Sequence, residues 1–209
     1  MADHQTAGRG RMGRSWEAPK GANLLATALF RRPEGHIHQL TQRIGLAIVL
    51  AVRESVSLKP LEQVTLKWPN DVLLSGRKLA GVLAQACLDE RNELVGVVVG
   101  FGVNVGWCPP DAAWLNEVDG RNVRPHELLR EILVQYDRLN ALEQSEFHNT
   151  YKQYLSTLGA RVKVDLPTGE SVTGTAVDVA PDGELKLVDA CALTHYISAG
   201  DVVHLRPEP

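Results

Sequence analysis

The sequence predicts an α/β (α+β) protein: a mixed β-sheet with packed helices to about residue 157, then a small β-barrel. Three observations carry this. Between residues 23 and 105, apolar strand-like runs flank one long helical stripe. Two amphipathic helices follow, from Arg124 to Leu155. From Arg161 onward, five short β-branched runs alternate with turns.

Each element has its own signal. Residues 23–30 read as a buried strand, ended by residues 31–35. Residues 38–57 carry Leu40, Ile44, Ala47, Ile48 and Ala51 at helical spacing. The middle of this helix is apolar on more than one side, so it is expected to pack on a sheet. A strand at 64–68 meets the turn Pro69-Asn70-Asp71, and extended chain resumes at 72–74. Ser75-Gly76-Arg77 reads as a hairpin turn and 78–87 as its return strand. Residues 94–105 form another strand, in which Gly100 and Gly102 mark a bulge or a close approach. Residues 111–117 suggest a short helical turn. A helix opening at Arg124-Pro125 presents Leu128, Leu129, Ile132, Leu133, Tyr136, Leu139 and Leu142. Ser145 is expected to cap the next, with Gly159 as a stop. The last five strands are read at 161–166, 171–179, 184–188, 193–197 and 202–205.

The 209 residues are 44% apolar, enough for a sizeable core. A net charge of −3 argues against a general nucleic-acid binder. The three cysteines, Cys87, Cys108 and Cys191, are scattered and odd in number, which fits a reducing cytoplasm and offers no metal-ligand spacing. No run reaches the ~18 apolar residues of a membrane span, and the polar start resembles no signal peptide.

Chemistry concentrates in Gln5-Thr6-Ala7-Gly8-Arg9-Gly10-Arg11-Met12-Gly13-Arg14-Ser15-Trp16. Arginine forks pair with carboxylate or phosphate, and glycine lets backbone approach a ligand. Gly8 to Gly13 fits the dinucleotide fingerprint, but Pro19 and Gly21 leave no room for its helix. A solvated basic loop or a nucleic-acid contact is the other reading of this stretch alone. Three more clusters follow: Lys67-Trp68-Pro69-Asn70-Asp71, Arg77-Lys78-Leu79-Ala80-Gly81, and Gly100-Phe101-Gly102-Val103-Asn104. Taken singly, each also reads as a turn, a basic hairpin or a sheet corner.

In this order, the four motifs resemble the biotin protein ligases, the biotin–[acetyl-CoA-carboxylase] ligases related in fold to lipoate ligases and octanoyl transferases. The resemblance covers essentially the whole chain. It implies a catalytic domain over residues 1–157, its sheet of the class II aminoacyl-tRNA synthetase/biotin ligase type, and an SH3-like C-terminal domain over 158–209. It also implies a two-step reaction. Biotin and Mg-ATP give biotinyl-5′-adenylate and pyrophosphate, and the acyl group then passes to a lysine of a biotin carboxyl carrier protein. ATP with Mg2+ and biotin enter as substrates, and no residue is assigned to a resident metal. Homodimerisation is expected; nucleic-acid and membrane partners are not.

Physical chemistry supports such roles. Attack of a carboxylate on the α-phosphate joins two anions, so the site needs fixed positive charge. By resemblance, Arg11 and Lys78 supply it, with Arg9 alongside. Gln5, Gly8, Arg9, Gly10 and Arg11 line the biotin side, Trp16 packs over the nucleotide side, and Asn104 addresses the adenine. Asp71 is the candidate for the second step: a lysine of pKa about 10.4 is free amine only roughly once in 2,500 at pH 7, so a carboxylate that orients it and helps remove its proton matters. The alternatives are a lipoate/octanoyl-class acyltransferase and a non-catalytic adenylate-binding protein. Family members carry a further stretch before this loop, with a Ser/Thr-Thr/Ser-Asn segment on the biotin head group; only four residues precede Gln5 here. The N-terminal part of the catalytic domain is therefore read as missing. A chain without it is expected to hold nucleotide better than biotin and to expose apolar sheet surface.

Overall fold

The computed structural model describes residues 1–31, 33, 35–118 and 120–205. The turn read at 31–35 therefore includes Arg32 and Glu34, which lie outside the described residues, as do residues 206–209 at the end of the C-terminal domain expected over 158–209. The strands are β1 Leu24–Arg31, β2 Val64–Lys67, β3 Asp71–Leu74, β4 Arg77–Leu88, β5 Leu94–Val103, β6 Arg161–Asp165, β7 Ser171–Val179, β8 Leu185–Val188, β9 Thr194–Ile197 and β10 Asp201–His204. The helices are α1 Ile37–Ser55, α2 Pro125–Asn140 and α3 Gln144–Tyr154, with 3-10 turns at Arg11–Gly13 and Leu115–Glu117. No helix among the described residues is long and apolar enough to cross a membrane.

The strands form two five-stranded sheets, ordered β1-β5-β4-β3-β2 and β10-β6-β7-β8-β9. The α+β architecture is as the sequence reads. The mixed sheet is corrected: every pair of named strands is antiparallel. Parallel pairing is confined to two isolated bridges, Leu66–Leu155 and Lys78–Ala112. The reason is connection length. Residues 68–70, 75–76 and 89–93 are all that separate β2, β3, β4 and β5, too few for the crossover that parallel neighbours need.

All three helices lie on one side of the first sheet. Helix α1 buries Leu40, Ile44, Leu46, Ala47, Ile48, Val49, Ala51 and Val52, and packs on β2, β3, β4, β5 and α2. Alternate residues of the strands, such as Val82, Val97, Val99 and Phe101, close that core. Because side chains alternate across a sheet, the remaining residues of each strand face the other side, which no helix among the described residues covers.

Two helix details differ from the sequence reading. Helix α3 begins at Gln144 with Glu143 as N-cap, so Ser145 lies inside the first turn and does not cap it. Leu133 is 52% exposed, because α2 turns Leu128, Ile132, Gln135 and Leu139 inward.

Candidate functional site

The open face of the first sheet is organised in transverse rows. Strand register puts Lys67, Asp71, Gly81, Gly102 and Leu25 side by side across β2, β3, β4, β5 and β1. The next row on this face is Leu83, Gly100 and Thr27, and the one after it Gln85, Val98 and Leu29. Charge therefore sits at the β2 end of the first row, a glycine floor in its middle, and a mostly apolar bed beyond.

The glycine floor carries an indole. A Cβ on Gly102 would fall 2.5 Å from the Trp16 ring, and one on Gly81 3.4 Å from it. Gly102 is needed for this close approach, whereas Gly81 leaves room for ordinary contact. The Trp16 Nε1 proton is buried with no hydrogen-bond partner among the described residues. An orphaned donor in a cavity marks a place where a ligand acceptor would be bound with gain.

The Gly-Arg stretch forms a tight hairpin over this floor. Gly10 N–H donates to Arg14 O at 2.7 Å and Trp16 N–H to Gly8 O at 3.0 Å. The reversal places Met12 at φ 54° and Gly13 at φ 72°, a left-handed pair in which glycine is favoured. Gly8 lies directly under the Trp16 carbonyl, where any side chain would collide.

Arg11 is anchored from outside the hairpin. Its guanidinium donates to Gly200 O at 3.1 Å, to Asp201 at 3.3 Å and to Asn70 Oδ1 at 3.3 Å. Arg14 meets the other Asp201 oxygen at 2.6 Å. Asn70 in turn donates to Val82 O at 2.8 Å, which ties the hairpin to β4. Burial lowers the Arg11 pKa, and the Asp201 and Asp71 carboxylates oppose that shift. Lys78 lies 2.7 Å from Asp71 Oδ1 and 5.8 Å from the Trp16 ring centroid.

The cavity so enclosed measures about 560 Å³. Gln5, Arg9, Gly10, Arg11, Trp16, Asp71 and Lys78, all singled out in the sequence, line it. Asn104 instead lies at a recess of about 90 Å³ on the far side of Lys78, with Trp16, Glu17, Pro109 and Ala112. Its amide nitrogen donates to Ala113 O at 3.0 Å, and its oxygen accepts from Asn23 at 3.3 Å. Asn104 therefore builds the wall of this recess as well as facing it.

Sequence reasoning missed several lining residues. Thr27, Leu83, Gln85 and Val98 reach the cavity through strand alternation, a signal that was present but not followed to its face. Asp165, Asp201, Val202 and Val203 come from the second sheet, and no local signal joins them to the hairpin. Trp68 was read as part of a rigid turn. It is buried, and its Nε1–H donates to Gly183 O at 2.9 Å in the β7–β8 turn. Among the described residues no cluster of His, Cys, Asp or Glu could hold a metal ion.

Residues 1–104 match the biotin/lipoate A/B protein ligase family, and residues 157–205 match the biotin protein ligase C terminal domain. Over 99% of its length, the chain is 38% identical to a biotin–[acetyl-CoA-carboxylase] ligase of Mycobacterium tuberculosis, of which it covers 78%. The chain belongs to the biotin/lipoate A/B protein ligase family. Within that family it is also 34% identical to the bifunctional ligase/repressor BirA of Escherichia coli, over 63% of this chain and 43% of that protein. Among solved structures of the family, it resembles the biotin protein ligase of Aquifex aeolicus in complex with biotin and ATP. There the TM-score is 0.80 at 28% identity, covering 99% of this chain and 88% of that one.

Proposed function

We propose that this chain is an ATP-dependent biotin protein ligase. Its substrates are biotin and Mg-ATP, and its acceptor is a lysine of a biotin carboxyl carrier protein. One observation carries the reading. The Lys78–Asp71 pair, 2.7 Å apart, stands beside a side-chain-free floor under an arginine hairpin. The match of residues 157–205 to the biotin protein ligase C terminal domain, and the likeness of the whole chain to a biotin–[acetyl-CoA-carboxylase] ligase, favour biotin over lipoate or octanoate.

In the first step, a biotin carboxylate oxygen attacks the α-phosphorus, and the bond to the bridging oxygen breaks. Arg11 and Lys78 face the negative charge that gathers there, from positions already fixed by Asn70, Asp201 and Asp71. Preorganised charge lowers the barrier because nothing must reorient as the reaction proceeds. The apolar bed of Leu83, Gly100 and Thr27 receives the acyl chain. Trp16 and the hairpin keep water from the mixed anhydride. In the second step, the carrier amine attacks the acyl carbon and AMP leaves. Asp71, which stands beside Lys78 at the same end of the cavity, orients the incoming ammonium and assists loss of its proton.

The chain is also proposed to pair with a second copy through β1. Among the described residues that edge is bonded only at Ala2–Leu25, and Leu29, Leu88, Leu94 and Val95 are exposed near its far end. Sedimentation that finds a monomer at high concentration, with and without adenylate, removes this part. The function is tested by pyrophosphate release from biotin and Mg-ATP, followed by transfer of labelled biotin to a carrier domain. Biotin-dependent release and lysine labelling are expected; release with lipoate in place of biotin, or none with either, overturns the reading.

A further inference from the structure

We propose that Lys67 is a built subsite for the pyrophosphate that leaves in the first step. The inference rests on the adenylation reading above and extends it to a part of the cavity that reading does not use.

Charge pairing around the cavity is lopsided. Arg9, Arg11, Arg14, Lys67 and Lys78 face Asp71, Asp165 and Asp201 there. Each carboxylate is already engaged: Asp71 by Lys78 at 2.7 Å, Asp201 by Arg11 and Arg14, and Asp165 by Lys163 at 2.9 Å and the Ser171 hydroxyl at 2.6 Å. Lys67 is directly opposite Asp71 in strand register, yet Asp71 forms its ion pair with Lys78. Among the described residues, Lys67 makes no ion pair and no hydrogen bond through its ammonium. It is half-buried on a strand, whereas Arg9, the other unpaired cation, is exposed on the hairpin. Half-burying an unpaired charge costs free energy, and a bound anion recovers that cost. His204 approaches Lys67 from β10; burial, then the Lys67 charge, lowers its pKa, and an imidazole carries no negative charge in either protonation state.

Direction along the sheet identifies the anion. Lys78 borders both cavities. The recess beside Asn104 lies toward β5, while Lys67 lies two strands the other way, about 10 Å across the sheet. With adenine toward Asn104 and the α-phosphate at Lys78, the β- and γ-phosphates run toward Lys67. When the bond from the α-phosphorus to the bridging oxygen breaks, its electron pair stays on that oxygen. The leaving group gains a unit of negative charge, and a fixed ammonium stabilises it.

The test uses Lys67→Met, which keeps the stem without the charge, and Lys67→Arg. One assay measures pyrophosphate inhibition of adenylation and pyrophosphate–ATP exchange. The other measures transfer to a carrier domain from pre-formed biotinyl-adenylate, a half-reaction in which pyrophosphate takes no part. In Lys67→Met the inhibitory pyrophosphate concentration should rise about tenfold to a hundredfold, with transfer kept and Lys67→Arg largely restoring inhibition. Unchanged pyrophosphate inhibition, or an equal loss in both half-reactions, overturns the proposal. Failure of the wild type to adenylate biotin would instead sink the ligase reading itself.

Discussion

Lys78 is 40% exposed in its side chain, and its partner Asp71 24%. An ion pair this open contributes little to stability, typically below about 1 kcal/mol. In the proposed reaction its charge acts on the phosphorus instead, where it would add stabilisation as negative charge develops. Lys78→Ala is therefore expected to slow adenylate formation by about two orders of magnitude or more while shifting the melting temperature by only a degree or two. Paired measurement of pyrophosphate release and thermal unfolding checks it; a loss of stability in step with the rate would mark Lys78 as structural. The contrast with Arg11 shows what a sequence makes legible. Both residues stand out because their motifs are local, with glycines and further cations within a few positions. What each side chain grips was not readable. Lys78 meets a residue seven positions back across a hairpin, while Arg11 meets Gly200 and Asp201. The latter pairing depends on how two sheets dock, which no short-range pattern encodes.

At the scale of elements, the β7–β8 turn seats on the start of α1. Gly183 adopts φ 98° and lies against His38, and Gln39 donates to Pro181 O at 3.3 Å. His38 also faces Arg11, Asp182, His36 and Glu184. Burial first, then the Arg11 charge, lowers its pKa; burial, then Lys67, lowers that of His204 on β10. Depressed histidine pKa values mean that the unfolded chain binds protons more readily than the folded one. Stability from these sites is thus complete above the unfolded value near 6.5 and declines as pH falls below it. Urea melts between pH 7.5 and 5 should show the midpoint falling, with His38→Asn reducing the slope. A midpoint indifferent to pH over that interval would contradict the argument. The strands were legible here because β-branched runs and turn residues are written locally. The helix starts were less so: Ser145 has the right chemistry for a cap, but Glu143 already takes that position and the chain turns helical at Gln144.

For the whole molecule, the two sheets are joined through Trp68. Its backbone N–H donates to Thr157 Oγ1 at 3.0 Å, its indole donates to Gly183 O at 2.9 Å, and the ring is buried. A residue in a catalytic-looking motif therefore also fastens the second sheet to the first. Trp68→Phe keeps most of the ring's packing and removes the indole donor, leaving a buried carbonyl unpaired. A loss of about 1–3 kcal/mol is expected, with faster proteolysis of the β7–β8 turn than of α1. Equal protection of both segments in the variant would show that the turn is held by other contacts. Sheet order and the shared wall of the cavity were beyond sequence reasoning for the same reason that Asp201 was: they are set by docking, once each sheet exists.

The anchoring of Arg11 by Gly200 and Asp201 has a consequence in time. These partners lie 189 and 190 residues further along the chain. At a bacterial or eukaryotic ribosome, roughly 10 to 40 s separate their emergence from that of the hairpin. During that interval α1 and the first sheet can already form on the nascent chain, while Arg11 has Asn70 to grip but neither Gly200 nor Asp201. A chain stalled short of Gly200 would hold the sheet and its glycine floor, with the hairpin lacking its anchor on the second sheet. The anchor on the second sheet therefore reaches Arg11 only after the surface that Arg11 overlies has been made.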